Sequence, residues 1–197
     1  MTMQIKIAAR REFKSKDLWE MHTLRAKVFS GRLGWEVPVM SGMEIDGYDA
    51  LDPAYMVMRE PAGTLLGCWR LLPTEGPYML KDSFPQLLEG RAAPSDARIW
   101  ELSRFALETD KENRYGFSDM TMQCFEAVIR YGIENGLTHY VTVTTTAMER
   151  LTRRAGVVTS RLGEPQRIGI ENAVAFYVDV RATWEALYAQ RMAPQAA

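Results

Sequence analysis

The stretch RIWELSRFAL, residues 98–107, limits the fold more than any other part of the chain. At the two-residue period of a β-strand, Ile99, Glu101, Ser103 and Phe105 fall on one face. Trp100, Leu102, Arg104 and Ala106 fall on the other. Each face therefore carries a charge among side chains suited to burial. An unpaired buried charge costs several kcal/mol, comparable with the stability of a whole domain. Glu101 and Arg104 need partners or a ligand, unless the strand is a solvated edge.

The pattern around this strand is that of an α/β domain. Residues 3–8 alternate as a first strand, and Ser15 is placed to cap a helix over 15–30 with Leu18, Met21, Leu24, Arg25 and Val28 on one stripe. Arg25 is a charge in an otherwise apolar row. Residues 30–53 are rich in Gly and Pro and have no period, so they read as a mobile substrate-binding loop. Strands over 55–60 and 64–72 flank the turn Pro61-Ala62-Gly63, and a short irregular helix spans 79–88. Beyond the central strand, Ser118 is placed to cap an amphipathic helix ending at Asn135-Gly136. The β-branched run HYVTVTT (139–145), a helix over 147–155, strands over 167–170 and 173–180 and a helix over 183–192 complete the chain. The order β-α-β-β-β-α-β-α-β-β-α predicts one domain, 1–197, with a mixed sheet between helical layers.

Charge and composition exclude several functions. Lys plus Arg number 24 against 25 Asp plus Glu, which gives no global field for nucleic acid or an anionic membrane. No run is long and apolar enough for a membrane helix, and the opening residues lack the apolar core of a secretory signal, so a cytoplasmic protein is expected. Cys68 and Cys124 lie in apolar runs without metal-ligand spacing and are expected as reduced core residues. His22 and His139 stand alone, and no metal site is predicted. There is no nucleophile elbow, phosphate loop or dinucleotide fingerprint.

What remains is a charged set, Arg25, Asp46, Asp49, Arg70, Glu101 and Arg104, accompanied by Phe29, Trp35 and Phe105. A structural ion-pair network explains the charges alone. With an aromatic-bearing loop, the same set suits a zwitterionic or cationic ligand, because aromatic faces attract cations.

In these residues the sequence resembles the acyl-homoserine-lactone synthases, the LuxI-type autoinducer synthases. The resemblance is carried by Arg25-x3-Phe29-x5-Trp35, Asp46-x2-Asp49, Arg70 in GCWRLLPT, and Glu101-x2-Arg104 in WELSRFAL. It continues through GPYMLKDSFPQLL and HYVTVTTTAMERLTRRAG, covering most of residues 20–180. It implies an α/β/α sandwich similar to the GNAT-type N-acetyltransferases, with a twisted mixed sheet. Two parallel strands, WELSRFAL and HYVTVTTT, would part to admit a pantetheine arm.

The resemblance also implies a two-step reaction. The α-amine of S-adenosylmethionine takes an acyl group from an acyl-carrier protein. The substrate's own carboxylate then closes a lactone and expels methylthioadenosine. S-adenosylmethionine is a co-substrate, and no cofactor is implied. Glu101 is the first choice for proton acceptor, and Asp46 for holding the amino group. Arg25 and Arg70 would order the acidic loop through Asp49, Arg104 joins the site, and Phe29, Trp35 and Phe105 would line the substrate pocket. Backbone N–H groups near Ser103 or Phe105 suit the oxyanion.

An acyl tail needs apolar lining, for which Met79, Phe84, Leu102, Met122, Phe125, Val143 and Met148 are candidates, each equally at home in an ordinary core. Thr142 and Thr144 share a strand face, where they either meet a 3-oxo group or serve as ordinary strand formers. Arg150, Arg153, Arg154, Arg161 and Arg167 form a local basic cluster. Arg150, Arg154 and Arg167 are assigned to docking an acidic carrier protein, against the alternative of a solvated face. The competing functions are an acetyl-coenzyme-A-dependent N-acetyltransferase of the same fold and a non-catalytic sensor of S-adenosylmethionine or an acyl signal. The first would want a glycine-bearing pyrophosphate loop after the central strand, where this chain has FALETDKENR.

Overall fold

The computed structural model describes residues 3–108 and 119–192. Its strands are β1 (Gln4–Ala9), β2 (Val39–Met40), β3 (Met43–Glu44), β4 (Ala54–Arg59), β5 (Leu65–Pro73), β6 (Ile99–Leu107), β7 (His139–Thr145), β8 (Thr159–Arg161), β9 (Gln166–Ile168) and β10 (Glu171–Asp179). The α-helices are α1 (Ser15–Ala26), α2 (Met79–Asp82), α3 (Asp119–Glu134), α4 (Thr146–Arg154) and α5 (Val180–Met192). The main sheet runs in the order β1-β4-β5-β6-β7-β10-β8, with β9 also paired to β10. Its pairs are antiparallel apart from β6 and β7, the two strands joined through α3. The expected mixed sheet between helical layers is what forms.

Alternation of side chains through the sheet builds two cores. On one face Met56, Met58, Trp69, Leu71, Leu102, Leu107 and Tyr140 pack with Cys124, Phe125, Val128 and Ile129 of α3. On the other, Tyr55, Val57, Cys68 and Ala106 pack with Met21, Leu24, Val28 and Phe29 from α1 and the turn after it. Leu72, Val141 and Ala175 continue that face beneath Tyr78, Leu80, Leu87 and Leu88. Both cysteines are buried and free, and burial pushes the Cys68 thiol up to about 12. No helix of the described residues is long and apolar enough to cross a membrane.

Three local expectations change. Ser15 does not cap α1: it is the first helical residue, and Lys14 holds the cap position, its N–H donating to the Asp17 carboxylate at 3.2 Å. The helix does not continue regularly to Ser30, because residues Lys27–Arg32 widen into a π-helical turn, a form common at functional sites. Residues 30–53 are not structureless: they hold the β2–β3 hairpin and a 3-10 turn, Gly47–Leu51, capped by Asp46, whose carboxylate accepts the Tyr48 N–H at 3.0 Å. The expected Ser118 cap lies outside the described residues.

Two irregularities of β6 shape the site. Its parallel pairing with β7 runs from Ile99↔His139 to Leu102↔Thr142 and stops there, although β6 continues to Leu107 and β7 to Thr145. The two strands therefore part at Leu102. On its other edge, β6 pairs Ser103 with Arg70 and Ala106 with Cys68. Arg104 and Phe105 together oppose the single residue Trp69, a β-bulge, and Arg104 takes the left-handed conformation with φ +59°.

Candidate active site

The bulge reverses the alternation that a regular strand would keep. Beyond it, Ala106 joins Cys68 on the α1 face while Phe105 and Leu107 turn to the α3 face. Arg104 therefore points to the α1 face, the same side as Arg70, and does not oppose Glu101. Phe105 does not line the charged site: its ring packs against Trp69 and Phe125, with centroids 4.4 and 6.1 Å away.

On the α1 face three guanidinium groups interlock with three carboxylates. Arg25 donates through Nε to Glu44 at 2.5 Å and forms a two-pronged pair with Asp49 at 2.8 and 3.0 Å. Arg70 donates to Asp46 at 2.5 and 3.1 Å, to Asp49 at 2.9 Å and to Ser103 Oγ at 3.1 Å. Arg104 reaches Glu44 at 3.0 Å and Asp46 at 3.0 Å. The Tyr55 hydroxyl donates to Asp49 at 2.6 Å, and the Tyr48 ring lies 5.5 Å from the Arg70 guanidinium. The arginines come from the helix and sheet, and the carboxylates from residues 44–49. The network thus fastens that segment to the sheet.

Exposure is graded across the network. Arg25, Arg70 and Glu44 are fully enclosed, while the Asp46 and Arg104 side chains keep 11 % exposure each and form its mouth. Burial opposes the Asp49 charge, but the hydrogen bonds and charge of Arg25, joined by Arg70, hold its carboxyl far below the usual range. Burial also disfavours the Arg25 charge, and Asp49 and Glu44 more than restore it. Phe29 stacks on Trp35 at 5.4 Å and 7° between planes, and Arg104 sits 5.5 Å from the Phe29 ring. The π-helical turn sets this stack, since Leu33 N–H donates to Val28 O and Trp35 N–H to Phe29 O, both at 2.9 Å.

Glu101 shares this face but forms a separate anchor. Its carboxylate accepts the N–H groups of Met79 at 3.0 Å and Leu80 at 2.7 Å, holding the start of α2. Burial raises its carboxyl above the ordinary value, with the Leu80 and Met79 N–H groups and the Arg70 charge opposing. A hydrogen bond from the Ser103 hydroxyl also favours its charged form.

Arg25, Phe29, Trp35, Asp46, Asp49, Arg70, Ser103 and Arg104 are therefore brought to one side of the sheet, Glu101 stands beside them, and Phe105 is turned away. Sequence reasoning left Glu44 and Tyr55 out of the site. The signal for Glu44 was its position among three acids facing three arginines. Nothing in the strand pattern marks the Tyr55 hydroxyl.

The candidate acyl-lining residues divide between the sheet faces. Leu102, Met122 and Phe125 belong to the α3 core, and Thr142 and Thr144 alternate onto that side. Phe84 and Val143 pack toward α2, where Met79 begins the helix. The Thr142 side-chain hydroxyl donates to Leu102 O at 2.8 Å, at the last residue pair before β6 and β7 part. Met148 lies in the first turn of α4, its N–H donating to Thr145 Oγ1 at 3.2 Å.

The basic cluster is smaller than its sequence suggests. Buried Glu149 binds Arg161 at 2.8 Å and Arg153 at 2.9 Å, and the Arg161 hydrogen bonds lead in holding its carboxyl below the ordinary range. Arg150 and Arg154 are exposed and have no ion pair among the described residues, and Arg167 donates to Gly169 O.

A twisted sheet that opens between two parallel strands defines an N-acyltransferase fold. An acyl-CoA N-acyltransferase of Pseudomonas aeruginosa shares that fold, with a TM-score of 0.61 at 13 % identity. The chain belongs to the autoinducer synthase family, whose model matches residues 9–186. It is 50 % identical over 189 residues to an acyl-homoserine-lactone synthase of Pseudomonas aeruginosa, covering 94 % of each chain. The crystal structure of the AHL synthase LasI aligns with a TM-score of 0.88 at 49 % identity over 95 % of each chain. BjaI, described as a CoA-dependent acyl-homoserine lactone synthase and solved with SAM and isopentyl-CoA, aligns with a TM-score of 0.84 at 28 % identity, covering 98 % of this chain and 92 % of that one.

Proposed function

We propose that this autoinducer synthase transfers an acyl group from a carrier thioester to the α-amine of S-adenosylmethionine and then closes the lactone, releasing methylthioadenosine. The observation that carries this reading is the buried arginine–carboxylate network. It opens at Asp46 and at Arg104, the latter on the strand that parts from its parallel neighbour at Leu102. The network offers both charges to a zwitterion, and the Phe29–Trp35 stack offers a flat apolar wall to a purine or sulfonium.

In the first step the amine lone pair attacks the thioester carbon, the carbon–sulfur bond breaks, and the thiol leaves with a proton. Only the deprotonated amine is a nucleophile, so Glu101 accepts its proton directly or through water, and the raised affinity of that carboxyl for protons suits it to the task. Asp46 holds the amino group. Backbone N–H groups of β6 near Ser103, beyond its last rung with β7, suit the oxyanion. In the second step a carboxylate oxygen attacks the γ-carbon, and the bonding electrons leave with sulfur as neutral methylthioadenosine. The sulfonium is already a leaving group, so positioning and exclusion of water suffice without a further cofactor.

We assign the donor to an acyl-carrier protein and the reaction to the cytoplasm. Exposed Arg150 and Arg154, one helical turn apart, support an acidic partner. A direct comparison tests the donor. With S-adenosylmethionine fixed, acyl-carrier protein and coenzyme A thioesters of equal chain length are compared by kcat/KM. Preference for the carrier protein supports the assignment, and preference for the coenzyme A thioester refutes it.

A further inference from the structure

The least expected contact in the network is to sulfur. Arg70 Nη2 lies 3.1 Å and Arg104 Nη1 3.4 Å from the Met79 thioether. The other hydrogen bonds of these two guanidiniums go to oxygens of Glu44, Asp46, Asp49 and Ser103. A thioether is a weak acceptor, and paired guanidinium N–H groups favour an anionic oxygen. Two charged donors from different strands therefore converge on a group that satisfies neither well. The sulfur touches Arg104, whose side chain forms the mouth of the network.

We propose that Met79 is a displaceable plug, its thioether filling in the free enzyme the place that the substrate carboxylate takes on binding. This rests on S-adenosylmethionine being the substrate. The backbone of Met79 is fixed, because its N–H is held by Glu101. Its unbranched side chain has three rotatable bonds and can swing aside while α2 stays in place. A thioether keeps the two guanidiniums aimed at the site in the empty enzyme without competing strongly against a carboxylate. Met79 is thus a positioning residue that acts through Arg70 and Arg104.

The test is calorimetric titration of wild type, Met79→Ala and Met79→Gln with two unreactive probes. S-adenosylhomocysteine carries the amino-acid carboxylate, and methylthioadenosine lacks it. Removing the plug removes the cost of displacing it, so Met79→Ala tightens S-adenosylhomocysteine about fivefold. The amide oxygen of Met79→Gln is a stronger plug and weakens the same probe by about fivefold. Methylthioadenosine affinity stays within about twofold throughout, because its binding displaces nothing from the arginines. If Met79→Ala fails to fold, as thermal melting would reveal, selective weakening by Met79→Gln alone supports the plug.

Parallel shifts for both probes overturn the plug, as does selective weakening of S-adenosylhomocysteine by Met79→Ala. Unchanged S-adenosylhomocysteine affinity with an altered acyl-length profile also overturns it and assigns Met79 to the acyl tail. Failure of wild type to bind S-adenosylhomocysteine, S-adenosylmethionine and methylthioadenosine alike overturns the substrate reading and the plug together.

Discussion

Glu101 and Arg104 lie on the same face of β6, although a regular strand puts residues three apart on opposite faces. The bulge at Arg104-Phe105 brings them together, and Arg104 accepts a left-handed backbone with φ +59° to do so. That conformation costs a non-glycine residue about 1–2 kcal/mol, here offset by its bonds to Glu44 and Asp46. The consequence is chemical. One strand presents a carboxylate, a hydroxyl and a guanidinium on one face of the sheet.

Glu101→Gln keeps an acceptor for the start of α2 but cannot take a proton, and Asp46→Asn removes the charge proposed to hold the amine. Each variant is expected to fold with a cooperative thermal transition and to lose synthesis by at least ~10²-fold. The check is lactone formation across neutral pH with both substrates saturating. Near-wild-type turnover in both variants would remove these roles.

Stability should fall in acid through Asp49. Its folded-state carboxyl is held below its unfolded value, so its stabilisation is complete above the unfolded pKa of ~3.9 and is lost as pH falls through the folded one. Chemical denaturation between neutral pH and pH ~2 should show this acid limb, and Asp49→Asn should flatten it while lowering stability near pH 7. An unchanged acid slope in the variant would contradict the assignment.

Ligand should order only part of the segment after α1. Glu44 and Asp49 are buried among arginines, whereas Val39 and Met40 at the hairpin are 45 % and 74 % exposed. Hydrogen exchange is expected to slow over residues 36–42 on addition of S-adenosylmethionine, while residues 44–49 are protected in both states. Equal exchange at 36–42 with and without ligand would argue against a lid.

Carrier docking makes a kinetic prediction. Reversal of Arg150 and Arg154 to Glu should raise KM for acyl-carrier protein and leave KM for S-adenosylmethionine nearly unchanged. Wild-type activity should also decline with salt, since the Debye length is already ~8 Å at physiological ionic strength. Unaltered carrier kinetics at low salt would move docking to another face.

Much of the architecture was legible because periodicity encodes burial. The helix joining RIWELSRFAL to HYVTVTT and the β-branched run itself predicted neighbouring parallel strands, once the family resemblance identified that pair. Alternation alone failed at Arg104, because no sequence period announces a bulge and arginine is not the residue that φ +59° favours. Phe105 was consequently placed on the wrong face. Arg25 announced itself as a charge on an apolar helical stripe, whereas its partner Glu44 was marked only by its place among three acids, in a segment whose short elements are fixed by tertiary ion pairs. The five-arginine cluster was overcounted because Glu149, a buried residue of α4, neutralises Arg153 and Arg161.

The most direct test of the central claim is a mass-spectrometric time course with purified protein, S-adenosylmethionine and an acyl-carrier-protein thioester. Acyl-homoserine lactone and methylthioadenosine should appear in equal amounts, matched by release of the free carrier thiol. Accumulation of acylated S-adenosylmethionine without methylthioadenosine, or acyl transfer to some other amine with S-adenosylmethionine left intact, would contradict it.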